Sequence, residues 1–417
     1  MHPKLRNLLK IILRSLAIAT LKKFQPEIVG VTGTAGKTST KNAIFSVLSP
    51  HWRVRATRAN YNTEIGLPMT ILGGWPKPGG AGFWIWVIIS SAFRLVLPKF
   101  LLKYPQILVL EYGADRPGDI KRLLEIAKPR LGVITAIGDI PVHVEFYDDI
   151  EGVIREKGRL IEALPASGSA AFNADDLQTK KIEIKTRAKS LTFGFSTEAD
   201  VRITRFETKL GPNNRPEGIS FKLEYKDTII PVRISGTLGR PQAYAAAAAA
   251  TVGIMHNLNL VQISEALSDF KPPKHRLSVL KGIRQSYVID DSYNSSPIAA
   301  TSALETLSEI PAKRKIAILG DMRELGNYSK TAHEKLGNQA AGICDILITI
   351  GTKSQTTRQC AILNGLDETK TLHFENIAMA KGQLAPLIKA GDLVLIKGSL
   401  SIGLKAAVEE LKDKNPI

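Results

Sequence analysis

The segment Ile28-Val29-Gly30-Val31-Thr32-Gly33-Thr34-Ala35-Gly36-Lys37-Thr38-Ser39 decides how the rest of the chain is read. Ile28–Val31 has the character of a buried parallel strand. It runs into a glycine-bearing loop, and Lys41–Leu48 beyond the loop has helical character. Such a strand, loop and helix can close backbone N–H groups around a phosphate. Glycines remove the Cβ that would collide, and the helix N-terminus adds positive potential. Gly33, Thr34, Ala35, Gly36, Lys37, Thr38 and Ser39 are therefore the predicted nucleotide-binding residues. Lys37 suits β- and γ-phosphate oxygens, and the Thr38 hydroxyl suits Mg²⁺. The common pattern G-x-x-x-x-G-K-[ST] asks for glycine where this chain has Val31, so the match departs from it by one residue.

Working outward, short apolar runs alternate with helical segments. Ile107–Leu110 reads as a second buried strand and Ile120–Ala127 as a helix after it. Residues 181–235 change character: Phe221, Leu223 and Tyr225, then Ile229–Ile230 and Val232–Ile234, suggest antiparallel strands. Ala245–Ala250 reads as a close-packing helix. The Pro/basic stretch Lys271–Arg276 reads as a hinge. After it, Tyr287–Ile289, Ile316–Leu319, Ile346–Ile350 and Leu393–Ile396 alternate with helices. The expected fold is α/β: a P-loop central domain over 26–273 with a mostly parallel sheet and a small antiparallel portion. A Rossmann-like C-terminal α/β domain over 274–417 follows.

The 417 residues call for two or three domains, and 44% hydrophobic with 23% charged residues fits a chain that buries a core. Two cysteines, Cys344 and Cys360, make no disulfide framework and no zinc spacing. A disulfide-rich module, a collagen-like fibre and a multi-span membrane protein are excluded. Net charge is +17, and residues 1–63 hold eleven Lys/Arg against the single acid Glu27. That excess suits nucleic acid, anionic lipid or phosphorylated substrates. No nucleic-acid recognition module accompanies it, so no nucleic-acid partner is expected.

Residues 1–25 hold a basic amphipathic helix, with Leu5, Leu8, Leu9, Ile12 and Leu16 at helical spacing over 4–21. Arg14 interrupts the apolar run that a signal peptide would need. Docking on the protein's own core and lying on a membrane surface both remain open. An apolar insertion over about 75–104 contains Phe83–Leu102, whose uncharged part ends at Phe93, too short to span a bilayer. It reads as an interfacial, partner-facing or core helix. The expectation is a cytoplasmic monomer with peripheral contact to anionic membrane through 1–22 and 83–102.

The motifs taken together resemble the Mur ligase family over nearly all of residues 28–400. The loop variant above is followed by Asn60-Tyr61-Asn62-Thr63-Glu64-Ile65-Gly66-Leu67-Pro68. Glu111-Tyr112-Gly113-Ala114 is similar to the family's E-x-G-A segment, and His143-Val144-Glu145 to its H-L-E/D segment. Lys157 in Arg155-Glu156-Lys157-Gly158 sits where the family has a carbamylated lysine, and Asn173-Ala174-Asp175-Asp176 matches N-A-D-D/N. Asp290–Pro297, Leu319–Gly326 and Lys397-Gly398-Ser399 most closely resemble the MurF type, which adds D-alanyl-D-alanine to a UDP-linked muramoyl tripeptide in peptidoglycan synthesis.

The resemblance implies an ATP-dependent carboxylate–amine ligase working through an acyl-phosphate. It implies ATP and two Mg²⁺, with small-molecule peptide and carboxylate substrates. Thr38 and Glu111 would hold the first Mg²⁺; His143 and carbamylated Lys157 would serve the second. Lys37, His143, Lys157 and Arg276 would be catalytic, Arg276 reaching the γ-phosphate on domain closure. Asp291 would accept from ribose hydroxyls, with Tyr293 and Asn294 near the nucleotide. Asn60, Asn62, Thr63 and Lys397 would face the substrate. The family's synthetic members carry an N-terminal UDP-binding domain of on the order of a hundred residues, whereas the loop here opens at about residue 32. A non-UDP or lipid-linked carboxylate substrate, or a folylpolyglutamate-synthase-like activity, is therefore the alternative. A catalytically silent nucleotide-binding partner and a P-loop kinase are the rivals from other classes.

Overall fold

The computed structural model describes residues 3–58, 61–75 and 79–414. Ile28–Val31 lies within β1 (Glu27–Thr32). It is followed by β2 (Val54–Ala56), β3 (Ile107–Glu111), β4 (Leu131–Ile134), β5 (Ser169–Asn173), β6 (Lys189–Gly194), β7 (Val201–Leu210), β8 (Pro216–Tyr225) and β9 (Thr228–Ser235). Among the described residues these form one sheet in the order β2-β3-β1-β4-β5-β6-β7-β8-β9. Pairing is parallel from β2 to β7 and antiparallel from β7 to β9. β3 is buried along its whole length, because helices cover both faces, so it reads as an unbroken apolar run. β9 alternates exposed and buried residues, the mark of a strand with one wet face.

Val29 and Val31 pack with Ala43, Ile44 and Val47 of the loop helix (Lys37–Leu48) and with Ala245–Ala250 of the helix Arg240–Met255. The small alanines let these two helices approach closely. On the other face, Ile28, Leu108 and Leu110 meet Leu160 of the helix Ile150–Glu162, and Leu67 and Ile71 of the helix Gly66–Leu72.

The second sheet contains β10 (Ser278–Lys281), β11 (Tyr287–Asp291), β12 (Arg314–Gly320), β13 (Ile346–Ile350), β14 (Thr371–Phe374) and β15 (Asp392–Lys397). Its order is β10-β11-β15-β12-β13-β14, with β10 antiparallel and the rest parallel. Register sets Asp291 opposite Lys397 at the ends of β11 and β15.

The N-terminal helix spans Pro3–Phe24 and is docked on the first sheet's outer layer. Leu9, Leu13, Ala17, Thr20 and Phe24 are buried, a helical repeat facing Leu67, Ile71 and Val87. Lys10 pairs with Glu64 at 2.8 Å and Arg14 with Glu125 at 2.9 Å. Of the two readings left open above, the docked one is what the fold contains. Lys23 Nζ donates to the carbonyls of Arg94 (2.8 Å) and Leu95 (3.0 Å) and to that of Leu97. It thereby satisfies the end of the insertion's helix, Ala81–Val96. Among the described residues no helix is long and apolar enough to cross a membrane.

Candidate active site

The phosphate loop is pinned from below by the end of β4. Thr34 N and Ala35 N donate to Ala136 O at 2.6 and 3.2 Å, and Thr135 Oγ1 donates to Ala35 O at 2.6 Å. Gly33 sits at φ +147°, and a Cβ there would lie 2.1 Å from Thr135 Oγ1. Gly36 precedes the loop helix at φ +84°, and no side chain caps that helix. Its first N–H groups therefore face the cleft without an internal partner, which suits an anion. Lys37 folds back over the loop, with Nζ donating to Gly33 O at 2.8 Å and Thr34 O at 3.2 Å. Burial holds its pKa below that of an ordinary lysine. The Thr34 hydroxyl is buried and has no hydrogen-bond partner among the described residues.

Glu111 ends β3, 3% exposed. Its Oε2 accepts from Thr38 Oγ1 at 3.2 Å and lies 3.5 Å from Lys41 Nζ, while Oε1 accepts from Asn62 Nδ2 at 3.2 Å. Sequence reading missed Lys41, which is 1% exposed and whose pKa burial lowers. The signal was its spacing: four residues after Lys37, it lies one helical turn along the same face. Thr63 has a local role, its hydroxyl accepting from Gly66 N at 3.3 Å where the next helix starts. Asn60 lies outside the described residues.

Lys157, on the helix Ile150–Glu162, is 1% exposed and donates to Gly33 O at 3.1 Å. Among the described residues it makes no ion pair. The adjacent Glu156 is spent on Ile120 N and Arg159. Burial first, then the nearby Lys37 charge, push the Lys157 amine down to about 7. A substantial neutral fraction thus exists at physiological pH.

His143 turns on a left-handed backbone at φ 72°. Its Nδ1 lies 2.7 Å from Glu324 Oε2 of the second sheet's domain, without hydrogen-bond alignment, and its Nε2 lies 3.3 Å from Asp115 Oδ1. Burial, with Lys157 and Lys37, holds the imidazole pKa well below its ordinary value, so the ring is neutral. Glu324 is also left-handed, at φ 63°. Two strained loops thus meet where the domains touch, a cost that functional sites tend to carry. Asp115 and Glu324 were not among the expected site residues.

Across the cleft, the Arg276 guanidinium stacks 4.5 Å above the Tyr293 ring. Its carbonyl accepts from Thr237 and Gln242, both at 3.1 Å, which ties the hinge end to the first domain. Lys397 Nζ donates to Asp291 Oδ2 at 2.5 Å, at the buried ends of β15 and β11, and to Asn294 O in the loop after β11 at 3.1 Å. A cavity of about 630 Å³ opens between the two halves. Thr34, Gly36 and Ser39 stand on one wall, and Arg276, Asn294 and Lys397 on the other. The structure therefore sets Glu111 and Lys157 against the loop residues and brings His143 and Arg276 within electrostatic reach of Lys37.

Residues 91–253 match the Mur ligase middle domain, and residues 275–400 match the Mur ligase glutamate ligase domain, together more than half of the chain. The chain belongs to the Mur ligase family. It is 29% identical over 403 residues to a UDP-N-acetylmuramoyl-tripeptide–D-alanyl-D-alanine ligase of Synechocystis sp., covering 96% of this chain and 78% of that relative. The crystal structure of MurF ligase from Thermotoga maritima in complex with ADP superposes with a TM-score of 0.77 at 26% identity, covering 96% and 83% of the two chains. A Mycobacterium tuberculosis folylpolyglutamate synthase shares the fold at a TM-score of 0.65 and 14% identity, covering 96% of each.

The residues of this Mur ligase cleft fit ATP and a divalent cation. An uncapped helix start, two loop glycines with positive φ and the cations Lys37, Lys41 and Arg276 suit a polyphosphate. The Thr38 hydroxyl and Glu111 carboxylate supply two hard oxygen donors side by side. Among the described residues no group of three or more His, Cys, Asp and Glu converges on a metal-sized site. Mg²⁺ is usually held by one or two protein oxygens with phosphate and water completing the shell, and a Thr–Glu pair matches that habit.

Proposed function

We propose that this ATP-dependent ligase joins D-alanyl-D-alanine to the free carboxylate of a UDP-linked muramoyl tripeptide, the reaction named for its relatives. The observation that carries the reading is the two-walled cleft. Thr34, Gly36 and Ser39 of the phosphate loop face Arg276 across it, Arg276 lies within electrostatic reach of Lys37, Thr38 meets Glu111 beside the loop, and His143 meets Glu324 of the second sheet's domain. Both walls come from one chain, which supports action as a monomer. A cytoplasmic site of action accords with ATP use and with Cys344 and Cys360 as free thiols.

A carboxylate oxygen of the acceptor attacks the γ-phosphorus and ADP leaves. The dipeptide amine then attacks the acyl carbon, phosphate departs with that oxygen, and the amine loses its proton. Two anions must meet in the first step, so neutralisation is the main task of the site. Lys37 and Arg276 neutralise phosphate oxygens from opposite sides. Thr38 and Glu111 would hold Mg²⁺, which supplies further neutralisation and orientation when bound. Lys157 is buried, neutral in good part and, among the described residues, without an ion pair, the state in which a lysine amine adds CO₂. As a carbamate it would present oxygens beside neutral His143, and the pair would hold a second Mg²⁺ near the acceptor carboxylate.

Acceptor labelled with ¹⁸O in its carboxylate tests this route. With both carboxylate oxygens labelled, one label per turnover should appear in inorganic phosphate; label released to water or into the nucleotide instead of phosphate would exclude an acyl-phosphate. Running a lipid-linked muramoyl tripeptide beside the UDP-linked one separates the two acceptor readings.

A further inference from the structure

Between Glu64 and Glu111 the sequence contains no acidic residue, and the structure gathers the consequence on one surface. The helix Ala81–Val96 buries only Val87 and Ser91. Ile85, Trp86, Ile89, Phe93 and Val96 are 52% to 84% exposed. Their spacing places them within about a third of the helix circumference. The ridge continues into the turn Lys99–Leu101, where Phe100 is 86% and Leu101 61% exposed. A contiguous apolar ridge of this kind on a water-facing surface marks a binding site. Beside it opens a hollow of about 610 Å³, whose walls include Phe24, Arg53, Lys99, Phe100, Lys103 and Tyr104 and no carboxylate. Its floor is fixed: Tyr104 stacks on Phe24 at 4.3 Å, and its hydroxyl donates to Ile71 O at 2.7 Å.

We propose that this surface docks the enzyme on a bilayer containing anionic phospholipid, the ridge entering the interfacial layer and Arg53, Lys99 and Lys103 meeting headgroup phosphates. Charge complementarity selects this occupant. A second copy docked through the same patch would oppose three cations to three cations with no acid between them, on a chain of net charge +17. An anionic surface supplies the opposite sign. Trp86 beside aliphatic neighbours suits the interfacial layer. The helix has 16 residues and includes Arg94, so it lies on a bilayer and does not cross it. The N-terminal helix takes the docked part, one of the two its sequence left open. It lies beneath the surface as a support, Lys23 holding the carbonyls at the end of the ridge helix. The docking face is therefore formed before binding, and little ordering cost remains.

Flotation of the full chain with vesicles tests this. Vesicles of phosphatidylcholine with phosphatidylglycerol should carry the protein at low salt, and phosphatidylcholine alone should not. Raising salt should release it. Lys99→Gln with Lys103→Gln should weaken binding about thirty-fold, from roughly a five-fold loss per cation near the surface. Ile89→Ser with Phe93→Ser should abolish flotation. All four positions are exposed and none lines the cleft, so melting temperature and ligation rate should stay at wild-type values. Protein that remains unbound with anionic vesicles at low salt would overturn the proposal. So would binding undiminished in both variants, or concentration-dependent dimerisation that Ile89→Ser with Phe93→Ser removes.

Discussion

Glu111→Gln tests whether the cleft holds a buried charge cluster that phosphate and metal are built to join. The substitution keeps the side chain's size but removes the only carboxylate within 4 Å of Lys41 among the described residues. At 3.5 Å, and at an effective dielectric of about 20, that attraction is worth about 5 kcal/mol. A second limit comes from Lys41 itself. Burial already lowers its pKa, and shedding its proton at pH 7 from the ordinary lysine value costs at most about 4.6 kcal/mol. The two limits agree, so Glu111→Gln should lose roughly 3 to 5 kcal/mol of stability, as other stranded buried charges do. Urea unfolding at pH 7, without nucleotide or metal, reads this directly. Adding Lys41→Met removes the stranded charge, and the double variant should recover most of the loss, with a coupling of at least about 2 kcal/mol. Ligation should stay at least about a hundred-fold down in both, because the Thr38–Glu111 oxygen pair is broken. A single variant within 1 kcal/mol of wild type, or a double variant no more stable than the single, would refute the buried ion pair.

Lys157→Ala should inactivate the enzyme, with partial rescue by acetate or formate supplying an oxygen donor; full activity without additive would reduce Lys157 to a packing residue. Leu13→Ala, at a fully buried position of the N-terminal helix, should cost about 3 kcal/mol in urea unfolding, whereas half-exposed Leu8→Ala should cost under about 0.5. Equal small losses would mean the helix is not docked. Gly33→Ala should abolish ATP binding measured by calorimetry, since its Cβ meets Thr135 Oγ1 at 2.1 Å; wild-type affinity would contradict the loop geometry.

The strand, loop and helix around Gly33 and Gly36 were legible because glycine spacing and helix capping are local properties. The parallel strands were legible because burial on both faces leaves unbroken apolar runs such as Ile107–Leu110. The wet-faced antiparallel strands showed their alternation at Val232–Ile234. The partners of charged residues were not legible. Lys41 reads as any surface helix lysine until β3 brings Glu111 beside it, 70 positions on. Glu324 meets His143 only through the packing of two domains, which no local pattern encodes. The N-terminal helix is basic and amphipathic either way. Only the acids Glu64 and Glu125, delivered by distant segments, show that Lys10 and Arg14 are matched within the protein.

In the proposed function one cleft couples ATP cleavage to amide formation between a muramoyl tripeptide and a dipeptide. ADP release followed together with product mass tests it most directly, using UDP-linked muramoyl tripeptide and D-alanyl-D-alanine, each omitted in turn. One ADP per amide formed is expected, and neither ADP nor product when either substrate is missing. Sustained ADP release that ignores the dipeptide, or no coupled turnover with the complete pair while another carboxylate and amine support it, would contradict it.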